Sequence, residues 1–195
     1  MNVYILLDRS GSMSTLWNEA IGSINGYVSK LKKTDKVHLA VFDNVSHDVI
    51  RDVKVKDWTN VSAYEATPRG GTPLYDSCGK IMAVAEADNA KRTVLVVMTD
   101  GYENASQEHT QASIKAKVKE FEDKNWEVVF LGANFDAVET VSGSVGVVAS
   151  KTINASAGNF ARGMDALYTA SAVYATHGTA INFTADDKLK VNSPL

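Results

Sequence analysis

The sequence predicts a Rossmann-like, doubly wound α/β fold: a mostly parallel sheet of about six strands, one of them an antiparallel edge strand, with helices on both faces. Three observations carry this. Short β-rich apolar runs alternate with longer stretches whose apolar residues recur every three or four positions, as right-handed strand–helix–strand units require. Two runs, residues 3–8 and 93–99, are apolar almost throughout, the pattern of strands covered on both faces. An aspartate closes the first and directly follows the second, where an open α/β sheet gathers its ligands.

The elements follow in order. Val3 to Asp8 is a central parallel strand. Ile21, Ile24, Val28 and Leu31 form the single apolar stripe of an amphipathic helix. Val37 to Phe42 is a second strand, and Asp43-Asn44 a turn. From Asp48 to Val55 apolar and polar residues alternate, which suits an edge strand antiparallel to its neighbour. A loop through Pro68 and Gly70-Gly71 leads to a helix from Pro73 towards Ala87, with proline well placed at the start. Thr93 to Thr99 is a buried strand. Ile114, Val118 and Phe121 mark the next helix, and Glu127 to Leu131 a further strand closed by Gly132-Ala133-Asn134. Val145 to Ala149 reads as the last short strand, and Phe160, Met164 and Leu167 open the final helix. From about residue 181 the tail is polar enough to be mobile. With no repeat, linker or low-complexity stretch, residues 1–195 read as one domain with its core over about 2–175.

Composition narrows the function classes. A chain of 195 residues, 45% hydrophobic, suffices for one core, since a domain of this length buries roughly 70% of its unfolded surface. The net charge is −3, from 20 basic and 23 acidic residues, without the basic excess of a nucleic-acid binder. Lys30, Lys32, Lys33 and Lys36, and Lys115, Lys117, Lys119 and Lys124, fall in helix-like stretches and read as solvated faces. The single cysteine, Cys78, excludes an intrachain disulfide and reads as a small buried residue. No apolar run approaches the roughly 20 residues of a membrane helix, and the N-terminus lacks the features of a signal peptide. A cytoplasmic protein without membrane contact is the expectation, and the Asn-x-Ser/Thr triplets at Asn44, Asn60, Asn104, Asn154 and Asn182 are then chance.

The chemistry gathers behind the strands. Asp8-Arg9-Ser10-Gly11-Ser12 follows the first strand and Asp100-Gly101 the strand 93–99. Between them Arg69-Gly70-Gly71-Thr72-Pro73 presents a threonine just before a helix. Asp8, Ser10 and Ser12 alternate, so an extended loop turns all three to one side. With Thr72 and Asp100 they supply three hydroxyls and two carboxylates, the oxygen donors preferred by a hard divalent cation. Only two are charged, so they balance a divalent ion without exceeding its charge, and a partner's carboxylate can complete its shell. Serine and glycine behind a strand also build plain turns. The three segments taken together argue for a site.

Asp-x-Ser-x-Ser, Gly-Gly-Thr-Pro and Thr-Asp-Gly in this order resemble the metal-ion-dependent adhesion site of von Willebrand factor type A (vWA) domains, over roughly residues 2–175. The chain is most similar to short stand-alone members found in bacteria and their phages. The resemblance implies a site for Mg²⁺ or Mn²⁺, with Ca²⁺ also admissible. Ser10 and Ser12 would ligate directly, and Thr72 directly or through water. Asp8 and Asp100 would act mainly through water, and the sixth position is left to an acidic residue of a partner protein. It implies a protein-binding module rather than an enzyme, in a family whose members often work beside AAA+ ATPases or inside larger assemblies. One departure is Tyr102, where the family often carries an acidic residue after Thr-Asp-Gly; here Glu103 comes one position later.

The competing reading is a phosphatase of the haloacid-dehalogenase type, which also places an aspartate behind the first strand near a divalent metal. Those enzymes need a second carboxylate two residues on for acid–base work, and here that position is Ser10. Dinucleotide binding needs Gly-x-Gly-x-x-Gly behind the first strand, which is missing. His38, His47, His109 and His177 show no metal-ligand spacing. Arg9 and Met13 read as packing or rim residues. Trp17 and Trp58, in segments next to the site's loops, are candidates to flank it, and Asn134 and Asp136 to line its rim.

Overall fold

The computed structural model describes residues 1–133 and 143–193. In chain order, the strands and longer helices are β1 (Asn2–Asp8), α1 (Trp17–Lys30), β2 (Lys36–Phe42), β3 (His47–Lys54), α2 (Leu74–Asp88), β4 (Thr93–Thr99), α3 (Gln111–Asp123), β5 (Glu127–Gly132), β6 (Thr152–Asn154), α4 (Phe160–His177) and α5 (Ala185–Asn192). The sheet runs β3-β2-β1-β4-β5-β6. Every neighbouring pair is parallel except β2 with β3, which is antiparallel and places β3 at the edge. This is the doubly wound α/β fold expected from the alternating pattern.

Alternation within β1 divides the core in two. Val3, Ile5 and Leu7 face a cluster that includes Ile21, Ile24 and Val28 of α1 and Phe160, Met164 and Leu167 of α4. Tyr4 and Leu6 face the other side, with Leu74, Ile81 and Met82 of α2 and Ile114, Val118 and Phe121 of α3. Both faces of the strand are therefore dry, which is why its sequence shows no polar alternation. Strand order reverses beside β1, whose neighbours are β2 and β4. The crevice at such a reversal opens beyond the carboxyl ends of the strands, where Asp8 and Asp100 lie.

Two expectations need correction. The run Val145–Ala149 is not a strand; β6 is Thr152–Asn154, paired to Phe130–Gly132. Val145 and Val147 are buried all the same, against the α2/α3 face, so their hydrophobicity signals packing rather than a ladder. The described part of the tail, residues 181–193, holds a helix that the sequence pattern did not single out. Thr184 and Asp187 form a capping box that starts α5, and Ile181, Phe183 and Val191 join the α1/α4 core. Asn192 fastens its end, accepting from Ser156 N–H at 3.0 Å and donating to the Asn154 carbonyl at 2.7 Å. Lys36 belongs to no helix face: it opens β2 and pairs with Asp52 at 3.0 Å and Asp88 at 2.8 Å.

The helix ends are held from outside as well as within. Asn159, in the N-cap position of α4, makes no capping hydrogen bond with its side chain. Instead Glu19 on α1 accepts the N–H groups of Gly158 at 2.8 Å and Phe160 at 2.7 Å, placing a carboxylate at a positive helix end. Cys78 is buried and free, as expected.

Candidate functional site

Asp8 ends β1, and burial leaves its carboxylate no solvent. Oδ1 accepts the Ser10 N–H at 2.7 Å and Oδ2 the Thr99 hydroxyl at 2.7 Å. The first bond turns the chain sharply behind the strand; the second ties β1 to β4. A 3-10 turn, Gly11–Thr15, follows and carries Ser12. The Ser12 hydroxyl donates to Asp100 Oδ1 at 2.7 Å and lies 3.1 Å from the Ser10 hydroxyl.

Thr72 reaches the same place from the glycine loop. A methyl group added at Gly101 would meet Thr72 Oγ1 at 3.3 Å, Ser12 Oγ at 3.7 Å and Asp8 Oδ2 at 3.9 Å. Gly101 thus borders a small space on which three of the five candidate oxygens converge, with Ser10 and Asp100 hydrogen-bonded to Ser12 at its edge. All five sequence-predicted residues come together, from segments up to 92 positions apart.

The local backbone explains the glycines. Gly70 has φ +67°, and a Cβ there would fall 1.9 Å from Asn44 Oδ1. That same oxygen accepts the Gly71 N–H at 2.8 Å. The loop therefore lies flat on the turn behind β2, which a side chain at Gly70 would prevent, while one at Gly71 would meet Asn104 Oδ1 at 2.8 Å.

Burial raises the Asp8 carboxyl to about 6, opposed by the Thr99 and Ser10 hydrogen bonds and reinforced by the charge of Asp100. Burial raises Asp100 too, against the hydrogen bond from Ser12. Among the described residues no group of three or more His, Cys, Asp or Glu is placed to hold a metal ion. A cation at this crevice would therefore rest on hydroxyls with two carboxylates. That donor set, bordered by a glycine, fits a hard divalent ion.

Sequence reasoning missed the supports. Asn104 grips Thr72 on both sides, its Oδ1 accepting the Thr72 N–H at 2.9 Å and its own N–H donating to the Thr72 carbonyl at 3.1 Å. Glu103 accepts from Tyr75, Ala105 and Ser106 N–H groups at 2.7–2.9 Å, pinning the loop behind β4 to the start of α2. Asp76 accepts three further N–H groups, from residues 107–109. An acidic residue just inside a helix start was the available signal for Asp76. None existed for Asn104, whose partner is 32 positions away.

Arg9 and Met13 are packed inward as expected, 5% and 0% exposed. Trp17 and Trp58 do not frame the site: both pack on the α1/α4 core, and the Trp17 indole donates to the Ala63 carbonyl at 2.9 Å. Asn134 and Asp136 lie outside the described residues. A groove of about 470 Å³ between α4 and α5 shares no residue with the crevice.

The fold has solved counterparts. A von Willebrand factor type A protein from Catenulispora acidiphila superposes with TM-score 0.69 at 13% identity, over 87% of this chain and 42% of that one. This chain thus spans under half of that protein's length. The vWF domain of the type V pili tip protein Mfa5 from Porphyromonas gingivalis gives 0.71 at 11% identity, over 88% and 95%. BatB, a conserved hypothetical protein from Bacteroides thetaiotaomicron, gives 0.58 at 16%, over 90% and 98%. At such identities the likeness establishes the fold alone. No curated protein sequence matches the chain. Among described residues no helix is long and apolar enough to cross a membrane. The model of the family described as VWA domain containing CoxE-like protein matches residues 1–146, a span that holds all five candidate residues, and the chain belongs to that family.

Proposed function

We propose that this vWA domain is a divalent-metal-dependent protein-binding module that recognises an aspartate or glutamate of a partner protein. One observation carries the reading: five hard oxygen donors from three separate segments converge beside Gly101. Ser10, Ser12 and Thr72 would hold Mg²⁺ or Mn²⁺, with Asp8 and Asp100 orienting the hydroxyls and waters around it. A bound ion supplies a positive, oxygen-seeking position for an incoming carboxylate. The remaining work belongs to the chain, which keeps the hydroxyls preorganised on loops anchored to buried strands.

Asp8 argues against the phosphatase reading. The residue two positions on is a serine hydrogen-bonded within the site, where that chemistry needs a second carboxylate as acid–base group.

The test is calorimetric titration of Mg²⁺ and Mn²⁺ into metal-free protein, against a folded Ser12→Ala/Asp100→Ala variant. One-site binding in the wild type that vanishes in the variant supports the reading. Equal heats in both, or metal-dependent phosphate release abolished by Asp8→Asn, would overturn it.

A further inference from the structure

The turn between β2 and β3 contributes no candidate ligand, yet it joins two of the segments that do. Asp43, whose side chain is fully buried, lies between two guanidinium groups: Arg69 Nε donates to its Oδ2 at 2.7 Å, and Arg9 Nε lies 2.9 Å from the same oxygen. Its Oδ1 accepts the N–H groups of Val45 at 2.6 Å and Ser46 at 2.8 Å. Arg9 also reaches Asp48 Oδ2 at 2.9 Å. The backbone repeats the connection, with Arg9 N–H donating to the Phe42 carbonyl at 2.8 Å and Arg69 N–H to the Arg9 carbonyl at 2.8 Å.

Arg9 stands between Asp8 and Ser10, and Arg69 three positions before Thr72. The serine loop and the threonine loop are therefore joined twice, by backbone hydrogen bonds between them and through one shared carboxylate. Charge points the same way. Two guanidinium groups beside a cation site would repel the cation, and Asp43 with Asp48 neutralises them.

We propose, resting on the metal-site reading above, that Asp43 is a positioning residue: clamped between Arg9 and Arg69, it works with the backbone bonds between the two loops to fix the distance between the serines and Thr72, and so tunes the affinity for the divalent ion without touching it. Two variants separate this from a merely structural part. Asp43→Asn keeps the shape but leaves two arginines against one aspartate, and removing one partner of a buried pair strands its charge. Arg9→Lys keeps the charge, but one ammonium cannot span Asp43 and Asp48 as the fork does.

Each folded protein is titrated calorimetrically with Mg²⁺ alone, and its melting is followed in chelator. Asp43→Asn should weaken Mg²⁺ binding by about tenfold to a hundredfold, the range for residues that orient metal ligands. Arg9→Lys should weaken it in the same direction by less. A merely structural role would lower melting in chelator and leave affinity unchanged. Affinity within twofold of wild type in both variants overturns the clamp while the metal site stands. Should Asp43→Asn not fold, Arg9→Lys decides alone. A wild type that binds no Mg²⁺ overturns the metal-site reading and the clamp with it.

Discussion

Gly70 shows how much one position can carry. Its φ of +67° lies in the left-handed region, and a Cβ would collide with Asn44 Oδ1 at 1.9 Å. We expect Gly70→Ala to cost about 1–3 kcal/mol, read as a lower urea midpoint, and to weaken Mg²⁺ binding as the loop lifts from the turn. An unchanged midpoint would mean that the loop relaxes freely. His47 gives a pH signature. Burial, helped by the charges of Lys80 and His38 and opposed by Asp48, pushes its pKa down to about 4, and its Nδ1 is buried without a hydrogen-bond partner among the described residues. The unfolded chain takes up this proton near pH 6.5 and the folded one only near 4. The stability present above 6.5 is therefore lost as pH falls from 6.5 towards 4. Asp8, raised to about 6, works in the opposite direction over part of that window. The diagnostic is therefore the difference between wild type and His47→Gln, which should grow more unfavourable to the wild type on acidification, by of the order of 2 kcal/mol after allowing for partial exposure. Parallel curves would sink it. The five candidate ligands were legible as residues because their types and order are distinctive. Asn104 and Asp43 were not, since an asparagine or aspartate in a turn has the same sequence signature whether or not it grips a distant loop.

Among the elements, α5 changes the account most. Its residues look polar, but the chain leading into it buries Ile181 and Phe183 and its last turn buries Val191. Phe183→Ala should cost about 3 kcal/mol, the lower range for a buried phenylalanine, with the denaturant slope retained. A change under half of that would show that the tail docks weakly. The same contrast explains the misplaced strand. Residues 145–149 are apolar enough for a ladder, but it is Thr152–Asn154 that meets the hydrogen-bonding edge of β5. Burial and strand pairing leave the same trace in a short apolar run, and the geometry of β5 decides between them.

Across the whole molecule, ligand binding and folding are one equilibrium. If the crevice holds a divalent ion in the folded state only, Mg²⁺ at 100 times its dissociation constant adds about 2.7 kcal/mol. For a domain of this size that raises the melting midpoint by roughly 5–10 °C. A chelator should remove the rise, and Ser12→Ala/Asp100→Ala should never show it; an equal rise in that variant would place the ion elsewhere. The sequence by itself determined the doubly wound sheet, the antiparallel edge and the candidate ligands, because each is written in local periodicity and in short motifs behind buried strands. Only the tertiary structure decided the partner of β5, the docking of the C-terminal segment and the Arg9–Asp43–Arg69 clamp. Those depend on contacts between residues 22 to 38 positions apart, and a linear pattern records what a side chain is, not what the fold brings against it.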